Sequence, residues 1–229
     1  MIRTKGRRRL TCHHEAGHAL TRWYFGHMTD RAVVLTVEEV RAGKQIERRR
    51  GPPVSCEGTV YGYDICNPHH GGPTKLPDNP VLEAEINARR AVDRDVELIN
   101  CFSGICAEAH YRHSSFDTAL FEGGQCDLKG MRALLDGWGL FGDARYTLEG
   151  QAQMLAVALV RSPAGAAAIK TMADALMGRG EITGDEIGRL CRVAYGGQQC
   201  EFGAWNAHWP PNPAQLRAGF IPEDREQAA

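Results

Sequence analysis

The sequence lacks the features that mark membrane-spanning, secreted and strongly charged proteins. No apolar run approaches the roughly 20 residues needed to cross a bilayer, and the first residues carry Lys and Arg without the apolar stretch of a signal peptide. The formal net charge is only −1, so no overall attraction to nucleic acid or to a membrane surface is expected. We therefore predict a cytoplasmic protein with neither a nucleic-acid partner nor a membrane partner.

The sequence also lacks a C-x-x-C pair, although it contains eight cysteines. In a reducing compartment we expect free thiols, several of them at apolar helical positions where a thiol behaves as a small hydrophobe. Two interpretations stay open for Cys56, Cys66, His69 and His70, which could form a second metal site or belong to a plain loop. The Gly and Pro residues around them favour the loop.

What the sequence does contain, close to its start, is the pattern H-E-x-x-H from His14 to His18. Residues four apart lie on one face of a helix, so His14 and His18 can offer two imidazole nitrogens to one metal ion. Zinc held in this way acidifies a bound water, and the adjacent Glu15 can accept the proton as that water attacks a carbonyl. The pattern predicts a zinc hydrolase that cleaves amide bonds. The alternative is an amphipathic helix with surface histidines, but the small residues at positions 16, 17 and 19 favour a buried site.

Hydrophobic periodicity predicts a mainly helical chain with a little sheet near the metal helix. The first helix should begin near Arg8 or Thr11 and end near Tyr24, followed by strands at 31–38 and 57–63 and by a surface loop at 67–80. Further helices are expected at about 80–110, with a break near Ser103-Gly104, and then at 126–135, 148–160, 163–177 and 184–193. We expect one domain over residues 1–200 and an irregular tail over 201–229.

A catalytic zinc site needs a third protein ligand and keeps one position open for water. The metzincin pattern is excluded, because Thr21 and Tyr24 stand where it requires Gly and His. The downstream candidates are Glu108, His110, His113 and Asp127. Asp127 follows two glycines in the first turn of a predicted helix, where the helix dipole favours a carboxylate, so it could also serve simply as a cap.

Residues 9–20, R-L-T-C-H-H-E-A-G-H-A-L, resemble the peptidase helix of the FtsH family of ATP-dependent zinc proteases. Other stretches resemble later parts of that peptidase domain in the same order, namely 32–37, 101–108, 123–130 and 172–187. Residues 123–130 are similar to the family's G-A-x-x-D-L-x-x-A segment, which aligns Asp127 with the third zinc ligand. Residues 101–108 are similar to its G-G-x-x-A-E-E helix, in which Glu108 would support the site or pack between helices.

The resemblance implies a fold and a site. The fold would be mainly α (α+β), a helical zincin-like metallopeptidase domain with a small β-sheet near the metal helix. One Zn²⁺ would be held by His14, His18 and Asp127, with Glu15 as the general base. The sequence differs from that family in having no G-x-x-x-x-G-K-[ST] loop, so we expect peptide cleavage that does not depend on ATP.

The expected activity is that of a soluble zinc metalloendopeptidase whose substrate is an unfolded or extended polypeptide paired with an edge strand. Folded substrates would require a separate ATPase or adaptor, and the hexamers of the FtsH family imply a homo-oligomer. A second hypothesis is a metal-stabilised binding or regulatory protein without turnover. A third is a hydrolase of small amides, which would require a narrow closed pocket.

Overall fold

The computed structural model describes residues 2–47, 52–62 and 72–223, and it confirms a mainly helical chain with a small antiparallel sheet. The N-terminal part contains α1 (Ile2–Tyr24), β1 (Thr29–Val34), α2 (Val37–Arg41) and β2 (Gly58–Gly62). The helical part contains α3 (Pro80–Arg112), α4 (Phe116–Glu122), α5 (Gln125–Gly137), α6 (Gly142–Val160) and α7 (Pro163–Arg179). The last elements are β3 (Glu181–Thr183), α8 (Gly184–Ala194), a 3₁₀ helix (Ala204–His208) and α9 (Pro213–Ala218).

The centre of the fold is the contact between α1 and α3. A Cβ atom added at Gly17 would lie 2.5 Å from the backbone oxygen of Ser103 and 2.8 Å from the Cβ of Ala107, so the approach of the two helices requires glycine. The buried hydroxyls of Thr21 and Ser103 lie 2.6 Å apart, and Ser103 also donates to the carbonyl of Ile99. Both hydroxyls therefore have partners inside the apolar core.

The predicted break at Ser103-Gly104 is wrong, because α3 continues over 33 residues. Gly and Ser weaken an isolated helix by roughly 1 kcal/mol or less each. Here both residues are buried against α1, and that packing outweighs their low helix propensity. The uninterrupted helix α3 therefore contacts both His14 and His18.

The sheet has the strand order β2-β1-β3, and both pairings are antiparallel. The predicted strand at 31–38 is too long, since β1 ends at Val34 and Thr36 caps α2 instead. Thr36 and Glu39 form a capping box, in which each side chain accepts a hydrogen bond from the other residue's backbone N–H. Strand β3 was not predicted from the sequence pattern, and it has only three residues. Within the described residues β2 lies at an edge of the sheet, and its first residue, Gly58, approaches Glu15 of the histidine-bearing helix.

Residues 201–223 are more regular than the predicted tail. They contain the 3₁₀ helix and α9, and Trp205 is buried against Tyr24 and Phe25 with its indole N–H donating to the carbonyl of Tyr24 at 3.1 Å. Trp205 therefore belongs to the core, and the partly buried Trp209 packs against it. The short α4 was also absent from the sequence prediction.

Several expectations concern residues that lie outside the described ranges. Cys66, His69 and His70 belong to this group, so the second metal site suggested for them stays a prediction. Seven cysteines lie within the described ranges, and none of these seven forms a disulfide bond. No single helix among the described residues is both long and apolar enough to cross a membrane, and only the consecutive helices α6 and α7, bent by 76°, reach that length together.

His27, in the turn between α1 and β1, is a buried histidine that faces two carboxylates of α3. Its Nε2 lies 3.7 Å from Asp93 Oδ1, and its Nδ1 lies 3.9 Å from Glu97 Oε1. Glu97 also contacts the guanidinium of Arg22 at 3.1 Å. Burial alone would lower the pKa of His27, but the contacts with Asp93 and Glu97 outweigh it and raise the pKa above its ordinary value.

We expect His27→Gln to lower the melting temperature by about 2–8 °C at pH 6 and by less at pH 9. A histidine whose pKa is raised on folding stabilises the fold fully below its unfolded pKa of about 6.5, and this contribution disappears as the pH rises through the folded value. Thermal unfolding followed by circular dichroism at the two pH values measures the difference. His110→Gln, on the exposed side of α3, is the matched control. Equal losses for His27→Gln at both pH values would contradict this assignment.

Candidate metal centre

His14 and His18 lie one turn apart near the middle of α1, on the face that packs against α3. Both are buried, with 9% and 8% of their surfaces exposed. Their ring centroids are 4.8 Å apart and their planes are inclined by 74°, so the two Nε2 atoms approach the same region from different directions. The helix therefore presents the two nitrogens as the sequence pattern predicts.

Asp127 comes to the same place from the first turn of α5. Its Oδ2 lies 2.9 Å from Nε2 of His14, and its Oδ1 lies 3.4 Å from Nε2 of His18. The ligand atoms of the three side chains all lie within 4.8 Å of one another, which makes a group that could hold a metal ion. The cap residue of α5 is Gly124, which has no side chain, and the carboxylate of Asp127 in the first turn contacts both imidazoles.

Two glycines allow α5 to start so close to α3. A Cβ atom at Gly124 would lie 2.6 Å from a side-chain carbon of Ile105, and a Cβ atom at Gly123 would lie 2.9 Å from Oε2 of Glu108. Larger residues would push the turn between α4 and α5 away from α3. The glycine pair noticed in the sequence therefore fixes the position of Asp127.

The space in front of the histidine nitrogens is kept free by Gly104 of α3. A Cβ atom there would lie 2.5 Å from Nε2 of His18 and 2.7 Å from Nε2 of His14. Two imidazole nitrogens and one carboxylate around such a space match the donor set of a catalytic zinc site with an open position. The group could therefore hold a metal ion.

The other nitrogen of each imidazole contacts α3. Nδ1 of His18 lies 2.9 Å from the backbone oxygen of Asn100, and Nδ1 of His14 lies 3.5 Å from Oε2 of Glu108. Glu108 is in turn held by Arg112 at 3.0 Å. Such contacts orient metal-binding histidines by fixing which nitrogen carries the proton. The sequence alone did not show the role of the Asn100 carbonyl, because a backbone group leaves no signal in residue types.

The remaining ligand candidates lie elsewhere. Glu108 faces Nδ1 of His14, on the other side of the ring from the nitrogen that faces Asp127, so it supports the histidine from behind. His110 and His113 are exposed near the end of α3, and neither belongs to the His14–His18–Asp127 group. The geometry therefore favours Asp127 as the third member of the group.

Charge at the site is concentrated and buried. Burial would raise the pKa of Asp127, but His18 and His14 hold it well below its ordinary range. Burial would lower the pKa values of both histidines, yet their contacts with Asp127 raise them. Glu15 is 6% exposed, and its burial raises its pKa.

Glu15 lies between the histidine pair and the edge strand β2. A Cβ atom at Gly58, the first residue of β2, would lie 2.8 Å from both Cγ and Oε1 of Glu15, so the strand passes directly beside this carboxylate. The surrounding groove has a volume of about 1570 Å³, and its lining includes Glu15, His14, His18, Asp127 and residues of β2. This shape differs from the narrow pocket that a small-amide hydrolase would need.

Comparison with models of known protein families gives no match, and comparison with curated proteins gives no significant match either. The likeness to the FtsH peptidase helix therefore rests on the residues quoted above.

Proposed function

We propose that this protein is a zinc metalloendopeptidase that cleaves unfolded or extended polypeptides without ATP. The observation that carries the proposal is the position of Glu15, next to the His14–His18–Asp127 group and beside a free strand edge in an open groove. A metal group that only stabilised the fold would have no use for a buried carboxylate at this place. The zincin-like character of the fold is part of the same proposal.

In the proposed reaction, three side chains would bind the metal ion and a fourth, Glu15, transfers the proton. His14, His18 and Asp127 would hold the ion, and zinc bound there would supply a Lewis acid that polarises the scissile carbonyl and acidifies a water. Glu15 accepts a proton from the water whose oxygen adds to the carbonyl carbon. Glu15 then gives that proton to the amine nitrogen as the C–N bond breaks.

The substrate would be positioned by backbone pairing with β2. This strand is paired with β1 on one side, and within the described residues its other side is available to an extended chain. A peptide added there would pass beside Glu15 and the metal-binding group. A folded domain uses most of its backbone N–H and C=O groups in its own hydrogen bonds, so we propose that folded substrates depend on a separate ATPase or adaptor. Assembly into a homo-oligomer is part of the proposal by resemblance to the FtsH family.

The proposal predicts that the purified protein loaded with Zn²⁺ degrades unfolded casein and that a chelator stops the reaction. Returning Zn²⁺ should restore it, because the ligands remain in place. Fragment release is followed by gel electrophoresis and mass spectrometry. Equal cleavage with and without chelator, or no cleavage with any divalent metal, would overturn the proposal. Stable zinc binding without cleavage would instead support a metal-stabilised binding or regulatory protein.

A further inference from the structure

The groove that contains the metal-binding group also carries an exposed aromatic side chain. Phe121, in α4, is 81% exposed, the highest value among the large hydrophobic side chains that the structure describes. It lines the same groove as Asp127, β2 and Glu15. A single exposed hydrophobic residue is ordinary on a protein surface. Phe121, however, lines the groove of the candidate active site, where a bound substrate would contact it.

The position of Phe121 is fixed by the rest of α4. Ser115 caps the helix by accepting a hydrogen bond from the backbone N–H of Thr118 at 3.2 Å. Ala119 is fully buried in a small apolar cluster with Ile105 of α3, and the partly buried Leu120 packs against this cluster. Phe121 does not belong to the cluster. Helix α4, anchored through Ala119 and Leu120, therefore carries Phe121 at the lining of the groove.

Other apolar side chains line the groove near the sheet. Leu35, Val40 and Val54 all line it, and they belong to a second small cluster that is separate from the main core. An extended chain lying along β2 would thus meet apolar surface from the sheet side as well as from α4. Side chains on such a chain alternate in direction, so one apolar residue can reach Phe121 while its neighbours face elsewhere.

Charged groups of the groove are largely engaged with each other. Arg112 contacts Glu108 and also Glu122, and Arg7 contacts Glu57. These guanidinium groups already have carboxylate partners, so a carboxylate of the substrate could bind to them only by displacing Glu108, Glu122 or Glu57. The chemistry left for recognising a side chain near α4 is apolar contact.

We propose that Phe121 is a specificity-determining residue that binds an aromatic or branched aliphatic side chain of the substrate near the scissile bond. The inference rests on the proposed function, since it requires an extended peptide in the groove. Apolar contact with Phe121 would remove surface of both side chains from water. We expect this contact to raise kcat/KM by about 10- to 100-fold relative to a substrate with alanine at that position.

Two synthetic peptides test the proposal. Both are fluorescence-quenched dodecapeptides of Ala, Thr and Gln, and one carries a central Leu where the other carries Ala. Wild type should cleave the Leu peptide with a kcat/KM at least about 10-fold higher than that of the Ala peptide. Phe121→Ala should lose this preference through a higher KM for the Leu peptide, and Phe121→Leu should keep most of it.

Phe141→Ala is the matched control, because Phe141 is also an exposed phenylalanine but does not line the groove. Metal content and melting temperature show whether each variant is folded. If Phe121→Ala cleaves with an unchanged preference for Leu, the inference fails and the peptidase proposal stands. If wild type cleaves neither peptide, its cleavage of casein decides the peptidase proposal, and fluorescence anisotropy of the two peptides, labelled with the fluorophore alone, decides the inference. Weaker binding of only the Leu peptide by Phe121→Ala would support the inference, and equal binding by both proteins would overturn it.

Discussion

Replacing Glu15 with Gln is expected to lower kcat for peptide cleavage by about 10²- to 10⁴-fold without changing the zinc content. Glutamine has nearly the same shape as glutamate, so it can fill the same space beside Gly58. Its amide cannot take up the proton of the attacking water or deliver one to the leaving amine. The loss should therefore fall on the chemical step, with KM changed little.

The measurement is steady-state cleavage of an unfolded substrate together with metal analysis of the same preparation. Glu149→Gln is the matched control, because Glu149 is a carboxylate paired with Arg145 on α6 and does not line the groove. Activity of Glu15→Gln close to that of wild type would exclude Glu15 as the base. Loss of zinc together with activity would show that Glu15 supports the site and does not act in the reaction.

The part of the site that lies within one helix could be predicted from the sequence. His14, Glu15 and His18 are close along the chain, and helical geometry alone brings both imidazoles to one face. Asp127 lies far along the chain, and its place depends on how α5 packs against α3. Residue types left four candidates open for the third ligand. The resemblance pointed to Asp127, and the contacts of its carboxylate with both imidazoles agree with that choice.

The errors in the fold prediction have two physical causes. A break at Ser103-Gly104 follows from local propensity, yet packing against Gly17 keeps α3 intact. The strand predicted through residue 38 ended early because the capping box at Thr36 favours a helix start. Trp205 belonged to a segment without periodicity, but its burial against Tyr24 is a tertiary contact. The break at Ser103-Gly104 and the misplaced Trp205 are therefore errors in which a contact between distant parts of the chain outweighed the local signal, whereas the strand ended early because of a local cap.

The groove around the metal-binding group distinguishes two of the hypotheses raised by the sequence. A small-amide hydrolase and an endopeptidase can share the same metal ligands and base, so residue types alone do not separate them. The open groove beside a strand edge suits a substrate that extends beyond the scissile bond in both directions. Gly58 allows this close approach, because a side chain at that position would collide with Glu15 and move β2 away from the metal-binding group.

Replacing Asp127 with Ala is expected to weaken zinc binding by more than about 100-fold and to remove peptide cleavage at micromolar zinc. Loss of an outer contact to a metal-binding histidine already costs about 10- to 100-fold in affinity, and loss of a direct ligand should cost more. The two imidazoles would remain, but the carboxylate charge that faces them would be gone. Competition titration against a zinc chelator measures the affinity, and Asp127→Asn separates the effect of charge from that of shape.

The alternative for Asp127 is a favourable interaction with the helix dipole, worth about 0.3–1 kcal/mol. Asp143 offers the matched control, since it occupies the first turn of α6 as Asp127 occupies the first turn of α5. Asp143→Ala should lose a similar amount of helix stability while binding zinc like wild type. If Asp127→Ala also binds zinc like wild type, Asp127 is only a helix-terminal residue. Glu108, which lies behind His14, would then be the carboxylate to test as the third ligand.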